Sequence, residues 1–149
     1  MTSPAIIPIT YDAVDLSDWT TGIYAEIVSG IAESPVVRGE DTTIPAAAGS
    51  LEGNRINDYL PIELRVVVRA AEAPAGTQRA SYYANLRTVR ALFASNRPRA
   101  DLVATLPTTV PTILTISANP LNIIGAELFP GEYAELSISL RGNGDWTVT

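Results

Sequence analysis

The ten residues Pro61-Ile62-Glu63-Leu64-Arg65-Val66-Val67-Val68-Arg69-Ala70 carry the clearest structural signal in the chain. Side chains alternate between the two faces of a strand. Ile62, Leu64, Val66 and Val68 therefore share one face, and Glu63, Arg65, Val67 and Arg69 share the other. β-branched residues dominate, and these suit a pleated, half-buried surface. One face is built for a core. The other carries alternating charge and is built for solvent or a partner.

The same alternation recurs outward from this stretch. Ile23 to Ser29 reads as a strand, bounded by Gly22 and Gly30. Asp101 to Leu106 places Leu102, Ala104 and Leu106 on one face. Thr112 to Ala118 is rich in Ile and Thr, and Leu121 to Leu128 is a mostly apolar, bent segment. A turn at Pro130-Gly131 leads into Tyr133 to Arg141, where Ala134, Leu136, Ile138 and Leu140 face one way. Gly142, Asn143 and Gly144 then lead to a short tail holding Trp146.

One segment has a different period. Tyr82, Leu86, Val89 and Phe93 recur at helical spacing, with Tyr83 and Leu92 beside them and Arg79, Arg87 and Arg90 off the stripe. Thr77 is the expected N-cap and the helix is expected to end near Asn96 and Pro98, so it spans 77–96. Leu86 and Phe93 are both expected to be buried against the sheet.

Two segments are less regular. Residues 1–21 read as an N-terminal arm or edge segment, with a short apolar run from Ala5 to Ile9 between prolines. Asp12, Asp15 and Asp18 follow at a spacing of three. They lack the pattern of a calcium loop and read as turn and cap residues around Trp19. Residues 35–59 form a long Gly- and Pro-containing stretch of mixed charge, read as a long loop that has room for a short hairpin. Loops of that length are usually functional. Ile44, Leu51 and Ile56 supply apolar anchors. Arg38, Glu40, Asp41, Arg55 and Asp58 supply charges that can set register against a neighbour. The candidate inter-subunit contacts are thus Arg38, Glu40, Asp41, Ile44, Leu51, Arg55 and Asp58.

The chain has 149 residues, 46% of them hydrophobic, which suits a single domain over 1–149. The order of elements points to a mainly β (α+β) fold, an antiparallel sandwich or barrel with one flanking α-helix. Net charge is −6, against general or sequence-specific nucleic-acid binding. All ten cations are Arg, which is the mark of a GC-rich genome more than of physics. Cys and His are both absent, which removes thiolate and imidazole chemistry. Glu40-Asp41 are sequence neighbours and point apart on an extended chain. No nucleotide, zinc or nucleophile motif occurs. The expectation is no enzyme, no cofactor and no metal. No signal peptide and no run approaching a membrane span is expected either.

The stretch Val37-Arg38-Gly39-Glu40-Asp41-Thr42-Thr43-Ile44-Pro45, with Ala46 to Gly49, resembles a motif of small tail proteins from long-tailed bacteriophages. The context continues through Arg55 and Asp58, the strand Ile62 to Arg69, and the helix Tyr82-Tyr83 to Leu92-Phe93. Leu102 to Pro107, Pro120 to Ile123 and the final strand to Leu140 complete it. From about Arg38 to Leu140 the chain is similar to the ring-forming N-terminal domain of the distal tail protein family, often called Dit. The resemblance implies a tail-tube-like core and a hexameric ring between tail tube and tail tip or baseplate. It implies a virion protein made in the host cytoplasm, with itself, tube proteins and tip proteins as partners, and DNA passing through the bore. Some relatives add a C-terminal carbohydrate-binding domain. This chain ends soon after Trp146, so the resemblance is to the ring domain alone. Two alternatives stay open: a tail tube or tube-terminator subunit, and a small carbohydrate-binding sandwich.

Overall fold

The computed structural model describes residues 7–38, 42–43, 50–51, 56–71 and 76–149. Its strands are β1 (Ile9–Tyr11), β2 (Val14–Asp15), β3 (Ile23–Ser29), β4 (Val36–Arg38), β5 (Thr42–Thr43), β6 (Ser50–Leu51) and β7 (Ile56–Arg69). The helix α1 (Gln78–Leu92) follows, then β8 (Ala100–Leu106), β9 (Thr112–Phe129), β10 (Tyr133–Asn143) and β11 (Thr147–Val148). A short 3-10 turn, Trp19–Thr21, precedes β3.

Nine strands form one antiparallel sheet in the order β2-β1-β8-β9-β10-β7-β3, with β11 on β9 and β4 on β7. β5 and β6 pair separately. The sheet curls into a half-barrel, and its two ends approach through Leu16. The Leu16 amide donates to the Ile9 carbonyl at 2.9 Å, and the Leu16 carbonyl accepts from the Ala25 amide at 2.7 Å. The mainly β architecture with one flanking helix is as expected. The concave face is closed by curling and by α1.

The alternation read from β7 holds on its core face, while Val67, read onto the outward face, is buried as well, in the cup beside Trp19 and Tyr24. Ile62, Leu64, Val66 and Val68 are buried, and so are Ala134, Leu136, Ile138 and Leu140 across the ladder on β10. Tyr82, Val89, Leu92 and Phe93 bring the helix onto this face. Pro61 sits in a strand interior without cost to the ladder. β3 reaches along β7 only to Glu63 and β4 only to Tyr59, so the side of Pro61 away from β10 has no partner strand.

Four expectations need correction. Leu86 is only half-buried, because it borders an open groove on the helix flank. The helix ends at Leu92, with Phe93 as its C-cap. Thr112–Ala118 and Leu121–Leu128 are one 18-residue strand, β9. Between the pairs Ser139↔Asn122 and Leu140↔Pro120, Leu121 is an extra residue, so the bulge absorbs the proline and the strand continues. Of the arm read over 1–21, the described residues 7–21 are also more integrated than a simple edge. β1 lies inside the sheet between β2 and β8, and Tyr11 is fully buried.

The stretch 35–59 is not a single structureless loop. β4 pairs antiparallel with the start of β7, and β5 pairs with β6, so the described residues of this stretch carry ladder pairing. Asp12 and Ala13 both have positive φ, at 51° and 62°, which makes the two-residue turn between β1 and β2.

Candidate assembly surfaces

The candidate contact residues divide by position. Arg38 closes β4, paired in register with Ile56. Leu51 belongs to β6, paired with Thr42. Asp58 lies in β7, and its carbonyl accepts from the Gly144 amide at 3.3 Å. Glu40, Asp41, Ile44 and Arg55 fall outside the described residues.

The three early acids are each used locally. Asp12 pairs with Arg97 at 2.8 Å. Asp15 accepts from the Ser17 amide and hydroxyl at 2.9 and 2.6 Å. Asp18 caps the 3-10 turn, accepting from the Thr20 amide at 3.0 Å and its hydroxyl at 2.7 Å. Those bonds, the hydroxyl's first, hold the Asp18 carboxyl below its usual range. Among the described residues, no group of three or more acids converges as a metal site would.

Two surfaces emerge outside the predicted contact residues, the first on the β7 face that the alternation left for solvent or a partner. This is the convex face. Arg65 donates to Glu26 at 3.1 Å and to Glu135 at 2.5 Å, and the Tyr133 hydroxyl also donates to Glu135 at 2.9 Å. The Arg65 bond and then the Tyr133 bond hold Glu135 below the ordinary carboxylate range. Nearby, the Arg69 guanidinium stacks 3.8 Å over the Trp19 ring and donates to the Trp19 carbonyl at 3.1 Å. Trp19 meets Tyr24 edge-on with centroids 5.2 Å apart. Trp19, Tyr24, Glu26, Arg65, Val67 and Tyr133 line one shallow cup.

The second surface is the distal half of β9. β8 pairs with β9 only from Thr112 to Ala118, whereas β10 accompanies it from Ala118 to Phe129. From Leu121 onward the β8 side of the strand is therefore an open edge. Leu121, Ile124, Leu128 and Phe129 are all at least half exposed there. Between this edge and the end of α1 lies a groove of about 490 Å³, lined by Leu86, Arg90, Phe93, Ile123, Gly125 and Glu127 among others. Close by, the Tyr82 hydroxyl is buried without a hydrogen bond among the described residues. Burial, with the Glu127 carboxylate beside it, pushes the Tyr82 phenol up to about 12.

No protein-family model matches this chain, and no curated protein matches it. Among solved structures, the chain is similar to the SPP1 Dit protein, described as a paradigm of the hub adsorption apparatus in phages infecting Gram-positive hosts. The superposition has a TM-score of 0.56 and 11% sequence identity and covers 92% of this chain. It spans 49% of that protein, so this chain corresponds to about half its length. Nearly the whole chain thus carries a Dit-like fold.

Proposed function

We infer that this chain is a structural protein of a phage tail, a subunit of a ring, hexameric by analogy, that joins the tail tube to the tail tip or baseplate. The observation that carries this reading is the Dit-like fold over 92% of the chain. The motif order from Arg38 to Leu140 points the same way. Open apolar strand edges normally demand a partner, and this chain has one. The role is non-catalytic, in the virion, with further copies of the chain and adjoining tail proteins as partners. A carbohydrate-binding role has less support. Its aromatic platform would be Trp19, but one face of that ring is stacked by Arg69.

Sedimentation velocity and negative-stain microscopy of the purified chain test the reading. Closed rings of six copies are expected at high concentration. A monomer at every concentration, together with selective binding on a glycan array, overturns it.

A further inference from the structure

We propose that Val14 to Thr21 form a releasable strap, which closes the seam of the half-barrel and lifts as a unit while the rest of the sheet stays folded. The proposal goes beyond the ring reading and does not depend on it.

Three observations carry it. The first is where the strap lies. β2 and β3 are the two ends of the main sheet. The seam between them is bridged at Leu16, through its backbone bonds to Ile9 and Ala25, and by no ladder. β10 and β7, by contrast, pair continuously from Tyr133 to Asn143. Opening the seam therefore parts far fewer backbone bonds than separating β7 from β10.

The second is how the strap is built. Of the residues from Val14 to Thr21, only Leu16 is buried. Few buried contacts and exposed hydrogen bonds mark segments that open locally. Residues of positive φ bound it on both sides, Asp12 and Ala13 at 51° and 62° and Gly22 at 88°. Hinges are a few element-terminal residues of this kind, which absorb the change in backbone angles. Both are anchored to the body of the molecule. Asp12 pairs with Arg97 at 2.8 Å, and the Gly22 carbonyl accepts from the Arg69 amide at 2.8 Å.

The third is a latch. The Arg69 guanidinium stacks on the Trp19 ring and donates to the Trp19 carbonyl. From α1, the Asn85 side-chain amide donates to the Thr21 carbonyl at 2.7 Å and to the Arg69 carbonyl at 2.8 Å. Arg69 and Asn85 thus tie the end of the strap to β7 and to the helix. These polar contacts can break and re-form without opening the core. Lifting the strap uncovers Leu16 and frees the outer edge of β3, while the ladder between β7 and β10 stays intact.

Native-state hydrogen exchange of the dilute full chain, followed by NMR, tests this. The Leu16 and Ala25 amides should open together, with equal protection, and exchange at least about 100-fold faster than the amides of the β7–β10 ladder. Arg69→Gln removes the stack and one hydrogen bond. It should raise exchange at Leu16 and Ala25 about tenfold and leave the ladder amides unchanged. Asn85→Ala loosens the latch from the helix side and should act on the same two amides. Seam amides as protected as the ladder overturn the proposal. Unequal protection of Leu16 and Ala25 also overturns it, because the strap would then not move as a unit. Latch variants that speed exchange equally everywhere, or at neither seam amide, overturn it too. Ring formation is read separately by sedimentation, so the ring reading stands or falls on its own.

Discussion

The ring of Tyr11 stacks on that of Phe93, with centroids 4.9 Å apart and planes 20° from parallel. This contact joins the first strand to the end of the helix across 82 residues of sequence. The Tyr11 hydroxyl also donates to the Ala118 carbonyl on β9 at 3.1 Å. Phe93→Ala should therefore cost about 3–5 kcal/mol in urea unfolding. Tyr11→Phe keeps the stack and removes one bond, so it should cost about 0.5–1.5 kcal/mol. Equal losses for the two would show that the hydroxyl, and not the packing, fixes this corner.

Leu86 behaves differently because the groove leaves it half-buried. Full burial would make Leu86→Ala cost about 2–5 kcal/mol. Partial burial reduces the expected loss to about 1–2 kcal/mol. Thermal melts of dilute, unassembled protein measure this. A loss above that range would mean that the groove is closed in solution.

The turn between β1 and β2 places Ala13 at a φ of 62°, where an L side chain is crowded by its own backbone. Ala13→Gly should stabilise the protein by about 0.5–1 kcal/mol. The opposite holds at Gly22, where φ is 88° and a Cβ would lie 2.4 Å from the Arg69 carbonyl oxygen. Gly22→Ala should cost at least about 1–3 kcal/mol. Urea midpoints for the two variants should move in opposite directions, and movement in the same direction would refute the turn geometry.

Glu135 gives a pH dependence. Its folded pKa lies below the ordinary value of 4.5, chiefly through Arg65 and then Tyr133. A depressed carboxylate stabilises the folded state above its unfolded pKa, and this contribution is lost as pH falls through the folded value. Stability should thus be flat from neutral pH down to about 4.5 and should fall below that. Glu135→Gln should flatten part of the acid limb. Because the network is exposed, the change at neutral pH should be small. Urea midpoints measured from pH 7 to pH 3 check this, and an unchanged acid limb would remove Glu135 from the account.

Much of the fold was legible along the chain. Period-two alternation located the buried faces of β7 and β10, because a strand with one wet face must segregate its side chains. The helix was equally plain, since its stripe of Tyr82, Val89 and Phe93 follows the 3.6-residue turn. Local sequence misled at Pro120, which reads as a break. A break signal is local, whereas a bulge depends on the neighbouring strand continuing past it, as β10 does. The candidate contacts in 35–59 rest on loop length, charge and apolar anchors, and the pairing of β4 with β7 shows ladder within that stretch.

What the sequence alone determined was the class of the fold: periodicity is a property of consecutive residues, and it dictates which face of each element must be buried. The candidate surfaces were decided by the tertiary structure. Glu26, Arg65 and Glu135 come from strands 39 and 70 residues apart in sequence and meet only because β3, β7 and β10 are adjacent. The open edge of β9 arises because β8 is shorter than β10. That mismatch is set by how three strands align, and no single stretch of the chain encodes it.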